Sequence, residues 1–209
     1  MSTDTAKIEI VQPRGYTACG VLAVHAYNVL LALPVFVSVL AVSVMKLGVL
    51  TLLIPFFTLA ASAFFLPFGL GNAYVARLVR GLRPNNSRSE EGFIVQMTLS
   101  PRLRTGFRAV VEDADDVGYL TLTASELVFQ GDSVQLSIPF DQIQDVRRQN
   151  IGLRGLFVYG RRIGLVISGL PNITFVEFTE RSSWLLPTSK KISQKLYEAL
   201  SARRIGQSC

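Results

Sequence analysis

Charged residues disappear from the chain between Arg14 and Lys46 and again between Lys46 and Arg77, leaving two runs dominated by Val, Leu, Ala and Phe. A helix rises about 1.5 Å per residue, so about 20 apolar residues cross a hydrocarbon core of about 30 Å, and each run is long enough. The pattern predicts two spans, near Val21 to Val44 and near Val49 to Gly71, joined by the short turn Met45-Lys46-Leu47-Gly48 and therefore antiparallel. Bare backbone amides are not tolerated in hydrocarbon, so both spans are expected to be helical, with kinks at Pro34, Pro55 and Pro67. A re-entrant wedge kinked at Pro34 and Pro55 is the competing geometry. Arg77, Arg80, Arg83 and Arg88 follow the second span whereas the turn offers only Lys46, an asymmetry that puts both termini on the cytoplasmic side. Lys46, Arg77, Arg80 and Arg83 are then the membrane-interface anchors. His25 and Asn28 share a face of the first span and read as an interfacial group and interhelical packing glue rather than a proton site.

Beyond Gly71 the helix is expected to continue briefly along the interface and to stop at Pro84, and the polar stretch 84–91 reads as a linker. From Gly92 the period changes to strand alternation, clearest at Val134, Leu136, Ile138 and at Ile163, Leu165, Ile167. Nine short strands are expected, over Phe93–Leu99, Phe107–Glu112, Gly118–Thr123, Glu126–Gln130, Val134–Ile138, Gln142–Arg148, Leu156–Tyr159, Ile163–Ser168 and Ile173–Phe178. Turn residues separate several of them, among them Gln130-Gly131-Asp132 and Gly169-Leu170-Pro171-Asn172. A final helix opens near Pro187, and its stripe Ile192, Leu196, Leu200 would lie against the open end of the sheets. The division is therefore a cytoplasmic tail over 1–17, a two-helix hairpin over 18–83, a linker over 84–91, a β domain over 92–204 able to fold alone, and a tail over 205–209.

Composition sharpens this picture. Hydrophobic residues make up 49% of the 209 residues and charged ones 17%, so the apolar content is concentrated in the hairpin. The net charge of +6 beside a membrane segment is explained by orientation and anionic lipid rather than by nucleic acid. Cys19 and Cys209 can form neither a disulfide framework nor a Cys-rich metal site.

The order Gly118-Tyr119-Leu120-Thr121-Leu122-Thr123, then Leu127-Val128-Phe129, then Ile138-Pro139 and Ile143, then a strand at Phe175 to Phe178, resembles the GRAM and pleckstrin-homology-like (PH-like) pattern. The resemblance covers about Gly92 to Arg204. It implies an α+β chain in which an antiparallel β-sandwich or barrel is closed by a C-terminal helix. It brings no catalytic motif, and it points to bacterial membrane-anchored members of that family.

Candidate chemistry is sparse. The acidic turn Glu112, Asp113, Asp115, Asp116 is oxygen-rich enough to suggest a divalent cation but lacks the spacing of a calcium loop, so a solvated turn is the simpler reading. Arg147, Arg148, Arg154, Arg161 and Arg162 fall in a stretch without acids between Asp145 and Glu177, and form a candidate lipid- or phosphate-binding patch. The single histidine lies in the first span, which leaves the soluble serines without a base. Gly152-Leu153-Arg154-Gly155 is no phosphate loop, and Trp184 reads as a core plug.

The expected function is thus a non-catalytic interaction domain in the bacterial inner membrane, without cofactor, binding membrane lipids or a partner protein, with homo-oligomers through the hairpin also allowed. An accessory subunit of a transport complex and a metal-dependent enzyme using the acidic turn are the rivals.

Overall fold

The computed structural model describes residues 5–12, 15–45, 53, 55, 57, 69–82, 91–103, 114–149, 162–183 and 186–205. Among the described residues the elements follow in the order β1 (Lys7–Ile10), α1 (Ala18–Val44), α2 (Gly69–Arg80), β2 (Glu91–Ser100), β3 (Asp116–Leu122), β4 (Glu126–Gly131), β5 (Val134–Pro139), β6 (Ile143–Gln149), β7 (Arg162–Ile167), β8 (Phe175–Glu180) and α3 (Leu186–Ile205). Every strand pairing is antiparallel, and the sheet runs β1-β5-β4-β3-β2-β8-β7-β6.

The period-two pattern becomes the core. Phe93, Val95, Met97 and Leu99 of β2, Leu120 and Leu122 of β3, Leu127 and Phe129 of β4, and Val134, Leu136 and Ile138 of β5 all point to one side. The sheet bends so that these meet Ile163 and Leu165 of β7 and Val176 and Phe178 of β8, with the Phe129 and Phe178 rings 5.9 Å apart. Leu196 and Leu200 of α3 enter the same core, with Ile192 packed at its margin, as the stripe in the sequence predicts. The turn after β7 is made by Gly169 and Asn172 at φ values of 91° and 66°, which those two residue types tolerate best.

Three elements differ from the sequence reading. Residues 7–10 form an edge strand of the sheet rather than a free tail, with Ile8 opposite Leu136 and Ile10 opposite Val134. The alternation Lys7-Ile8-Glu9-Ile10 is too short to define a strand by itself, so the edge of β5 supplies the order. Secondly, β3 is buried at all seven positions rather than at alternate ones, because something covers its second face too. That cover is made by Tyr16 and Val21 at the start of α1 and by Val75 and Val79 of α2.

Thirdly, the pair of membrane spans is not shown. Among the described residues no helix is long and apolar enough to cross a membrane. The second predicted span and the linker over 84–91 lie almost wholly outside the described residues, as do the expected strands Phe107–Glu112 and Leu156–Tyr159, and also Lys46, Arg83, Trp184 and the side chains of His25 and Asn28.

Candidate functional site

Tyr16, Val21, Val75 and Val79 pack with Val117 and Tyr119 of β3, with Tyr74, Leu78 and Ile94 at the rim. Val117 and Tyr119 alternate with the core residue Leu120, so the start of α1 and α2 sit on the outer face of the sheet while α3 sits on the core side. The attachment is polar as well as apolar. Both oxygens of Asp132 accept from Gly15 N–H (3.1 and 3.0 Å), and Oδ2 also accepts from Tyr16 N–H at 2.8 Å. The Tyr74 hydroxyl donates to the Gly15 carbonyl at 2.9 Å, and the Gln142 side-chain carbonyl accepts from Ala6 N–H at 3.0 Å. Burial first, and then the negative charge of Asp132, push the Tyr74 phenol above its ordinary value. Thr17 begins α1 as its N-cap, accepting from Gly20 N–H. At Gly20 a Cβ would collide with the Tyr74 hydroxyl, so a residue without a side chain is what lets α1 and α2 approach here.

Removal of this cover is a direct test of the idea that 92–204 is self-sufficient. A fragment spanning 91–205 lacks β1, α1 and α2, so it bares Ile94, Val117 and Tyr119 and the edge of β5. It is expected to keep a cooperative melt from its intact main core, yet to bind an apolar dye and self-associate where the full chain does not. A monomeric fragment that ignores the dye would show that α1 and α2 contribute no cover.

The two described residues of the acidic turn are not solvated. Asp115 and Asp116 are 1% and 0% exposed. Asp115 accepts from Leu99 N–H at 2.8 Å and faces the Arg102 guanidinium at 3.8 Å. Asp116 Oδ2 accepts from Ser133 and Val134 N–H at 2.8 and 2.7 Å, while its Oδ1 has no hydrogen-bond partner. Burial therefore wins over those hydrogen bonds and pushes the Asp116 carboxyl up to about 6. Both carboxylates brace backbone turns, and no cluster among the described residues has the make-up of a metal site. Glu112 and Asp113 lie outside the described residues.

The arginine patch is likewise divided. Arg162 is 8% exposed and faces Glu177 at 3.4 Å, so it belongs to the interior of the sheet. Glu177 marked the far limit of the acid-free stretch in the sequence, but antiparallel pairing sets it opposite Gly164 of β7. Arg147 pairs with Asp145 of its own strand. Arg148 stands over the Tyr197 ring at 4.2 Å and bonds Gln194, which ties β6 to α3. Arg154 and Arg161 lie outside the described residues.

Of the five arginines, Arg148 lines a depression. Together with Lys190, Ser193 and Gln194 of α3 it bounds an open groove of about 150 Å³. Two cationic side chains and two hydrogen-bonding ones suit a small anionic group. Lys190, Ser193 and Gln194 were not singled out in the sequence, although their spacing of three and four residues sets them on one helix face. Asp132 was read only as a turn residue, and nothing local distinguishes it.

No protein-family model matches the chain, and no curated protein matches it. Among solved structures, a chain of the 8S snRNP assembly intermediate is similar at a TM-score of 0.37 and 10% identity, over 59% of this chain and 87% of that one. The Vps36 N-terminal PH domain is similar at a TM-score of 0.34 and 14% identity, over 58% of this chain and 89% of that one. The class rests on the topology itself, a seven-strand antiparallel order β5-β4-β3-β2-β8-β7-β6 bent round one core and closed by a C-terminal helix. That is a PH-like fold, here extended at one edge by β1.

Proposed function

We propose that this chain is a non-catalytic, membrane-anchored interaction domain of the GRAM type, binding an anionic lipid surface or an acidic partner protein through the groove between β6 and α3. The observation that carries the reading is the convergence of Arg148 and Lys190 beside Ser193 and Gln194. The anchor is supported by α1, 27 residues without Asp, Glu, Lys or Arg, about 40 Å of helix. Leu33, Phe36, Val37, Leu40 and Val44 on it are exposed, as lipid-facing residues would be. Arg77 and Arg80, exposed in the last turn of α2, suit a cytoplasmic interface.

The helix α3, which lines the groove, packs into the main core, whereas the start of α1 and α2 pack on the outer face of β3. Stacked layers in such folds are about 10 Å apart, and salt at about 0.1 M screens charge over about 10 Å. This favours a partner protein, or a surface other than the leaflet holding the hairpin.

The full chain held in nanodiscs of neutral lipid should co-float with anionic vesicles more than with neutral ones, and less as salt rises. Each charge near such a surface is worth about 1 kcal/mol, so Arg148→Ala with Lys190→Ala should weaken co-flotation about tenfold or more. Equal flotation with both vesicle types would remove lipid and leave the partner protein. Loss of neither vesicle nor partner binding in the double variant would remove the groove.

A further inference from the structure

Strand β1 is the terminal strand of the sheet, and among the described residues no strand lies beyond it. Val11 N–H donates to the Ser133 carbonyl at 2.8 Å. Backbone groups alternate along a strand, so the odd-numbered residues of β1 bond to β5 while Ile8 and Ile10 turn their N–H and C=O groups to the open edge. Side chains alternate as well. Ile8 and Ile10 lie opposite the buried Leu136 and Val134, on the core face, whereas Lys7 and Glu9 lie opposite Ser137 and Gln135, on the outer face. Ile10 is nevertheless 67% exposed, an apolar side chain on the core face with little over it.

We propose that β1 is a self-recognition edge, through which two copies of this chain pair antiparallel about a twofold axis at Ile8. Centred there, the pairing sets Lys7 opposite Glu9 of the partner subunit and, by symmetry, Glu9 opposite Lys7 of the partner subunit. Ala6 is buried and its N–H is already held by Gln142, so the pairing is confined to residues 7–9 of each copy. The two Ile8 residues exchange their edge-facing N–H and C=O groups in backbone hydrogen bonds.

The charges choose this register over its neighbours. A slip that centres the axis on Lys7 or on Glu9 sets like charges face to face, and a slip of one residue turns the core face of one copy to the solvent face of the other. The contact is isologous and closes at two copies. A four-residue edge is short, so the pairing strengthens with local concentration, and a shared membrane would raise that concentration. It does not depend on what the groove binds.

The test uses the full chain in a Cys19→Ser, Cys209→Ser background. In the proposed register positions 7 and 9 of opposite copies form a non-hydrogen-bonded pair with Cα atoms about 4.5 Å apart, within disulfide reach. Chains carrying Lys7→Cys, co-expressed with chains carrying Glu9→Cys, should give a covalent dimer on mild oxidation, and neither variant alone should. A second arm reverses the charges. Glu9→Lys should weaken dimerisation about tenfold or more in sedimentation, and Lys7→Glu added to it should restore the pair. No covalent dimer in the mixture, an equal yield from either variant alone, or a dimer indifferent to charge reversal would each overturn the proposal. The last of these outcomes would place the contact in the hairpin instead.

Discussion

Asp116→Ala is expected to lower the stability of the full chain by about 2–4 kcal/mol at about pH 5, because Ser133 and Val134 N–H would be buried without an acceptor at about 1–3 kcal/mol each. Both amides are held by one oxygen of a side chain with no exposed surface. Asp116→Asn keeps an acceptor and is expected to cost far less. The pH dependence separates charge from hydrogen bonding. In the folded chain Asp116 keeps its proton up to about 6, against an ordinary value of 3.8. Between those values the folded state binds more protons than the unfolded one, so the contribution of Asp116 to stability is fully present below about pH 4 and falls as pH rises towards 6. The whole fall amounts to at most about 3 kcal/mol. The proton finds its place on Oδ1, which has no partner, and leaves Oδ2 to accept from both amides. Urea unfolding of the detergent-solubilised chain from about pH 4 to about pH 8 should show the fall in the wild type and not in Asp116→Asn. An identical slope in both would show that the carboxyl is already charged throughout.

Asp132→Ala should detach Gly15 and Tyr16, and with them the start of α1, without unfolding the sandwich. Gly15 and Tyr16 N–H lose their acceptor, and two amides at about 1 kcal/mol or more each imply that local opening becomes about 10–100-fold more frequent. Hydrogen exchange at those amides and along β1 should accelerate by that factor. Exchange in β4, β7 and β8 should not, because the clasp lies outside the main core. Asp132→Asn retains one acceptor and should fall between. Uniform acceleration across the sheet would mean that the start of α1 and the sandwich open only together. Unchanged exchange would mean that the apolar contacts of Tyr16 and Val75 hold the start of α1 unaided.

The sequence was sufficient wherever the cause of structure is local. Alternation at Val134, Leu136, Ile138 and at Ile163, Leu165, Ile167 defines strands and their inner faces, because a strand's period is set by its own backbone. The stripe Ile192, Leu196, Leu200 likewise defines a helix and the side it buries. From these and the order of the turns the antiparallel β domain with its closing helix was legible. What the chain does with its polar residues was not, since their partners lie far along it. Tyr16 meets Asp132 across 116 positions, Ala6 meets Gln142 across 136, and Arg148 meets Gln194 across 46. A run of four acids reads as solvated until the turn at Ser133 closes over Asp116, and a run of arginines reads as a patch until Glu177 is brought beside Arg162. Strand β1 exists because β5 presents an unpaired edge to it, and β3 is buried on both faces because α2 and Tyr16 come to lie on it. Burial and pairing are properties of the assembled sheet, and only the tertiary structure decided which charges bind the chain to itself and which face a ligand.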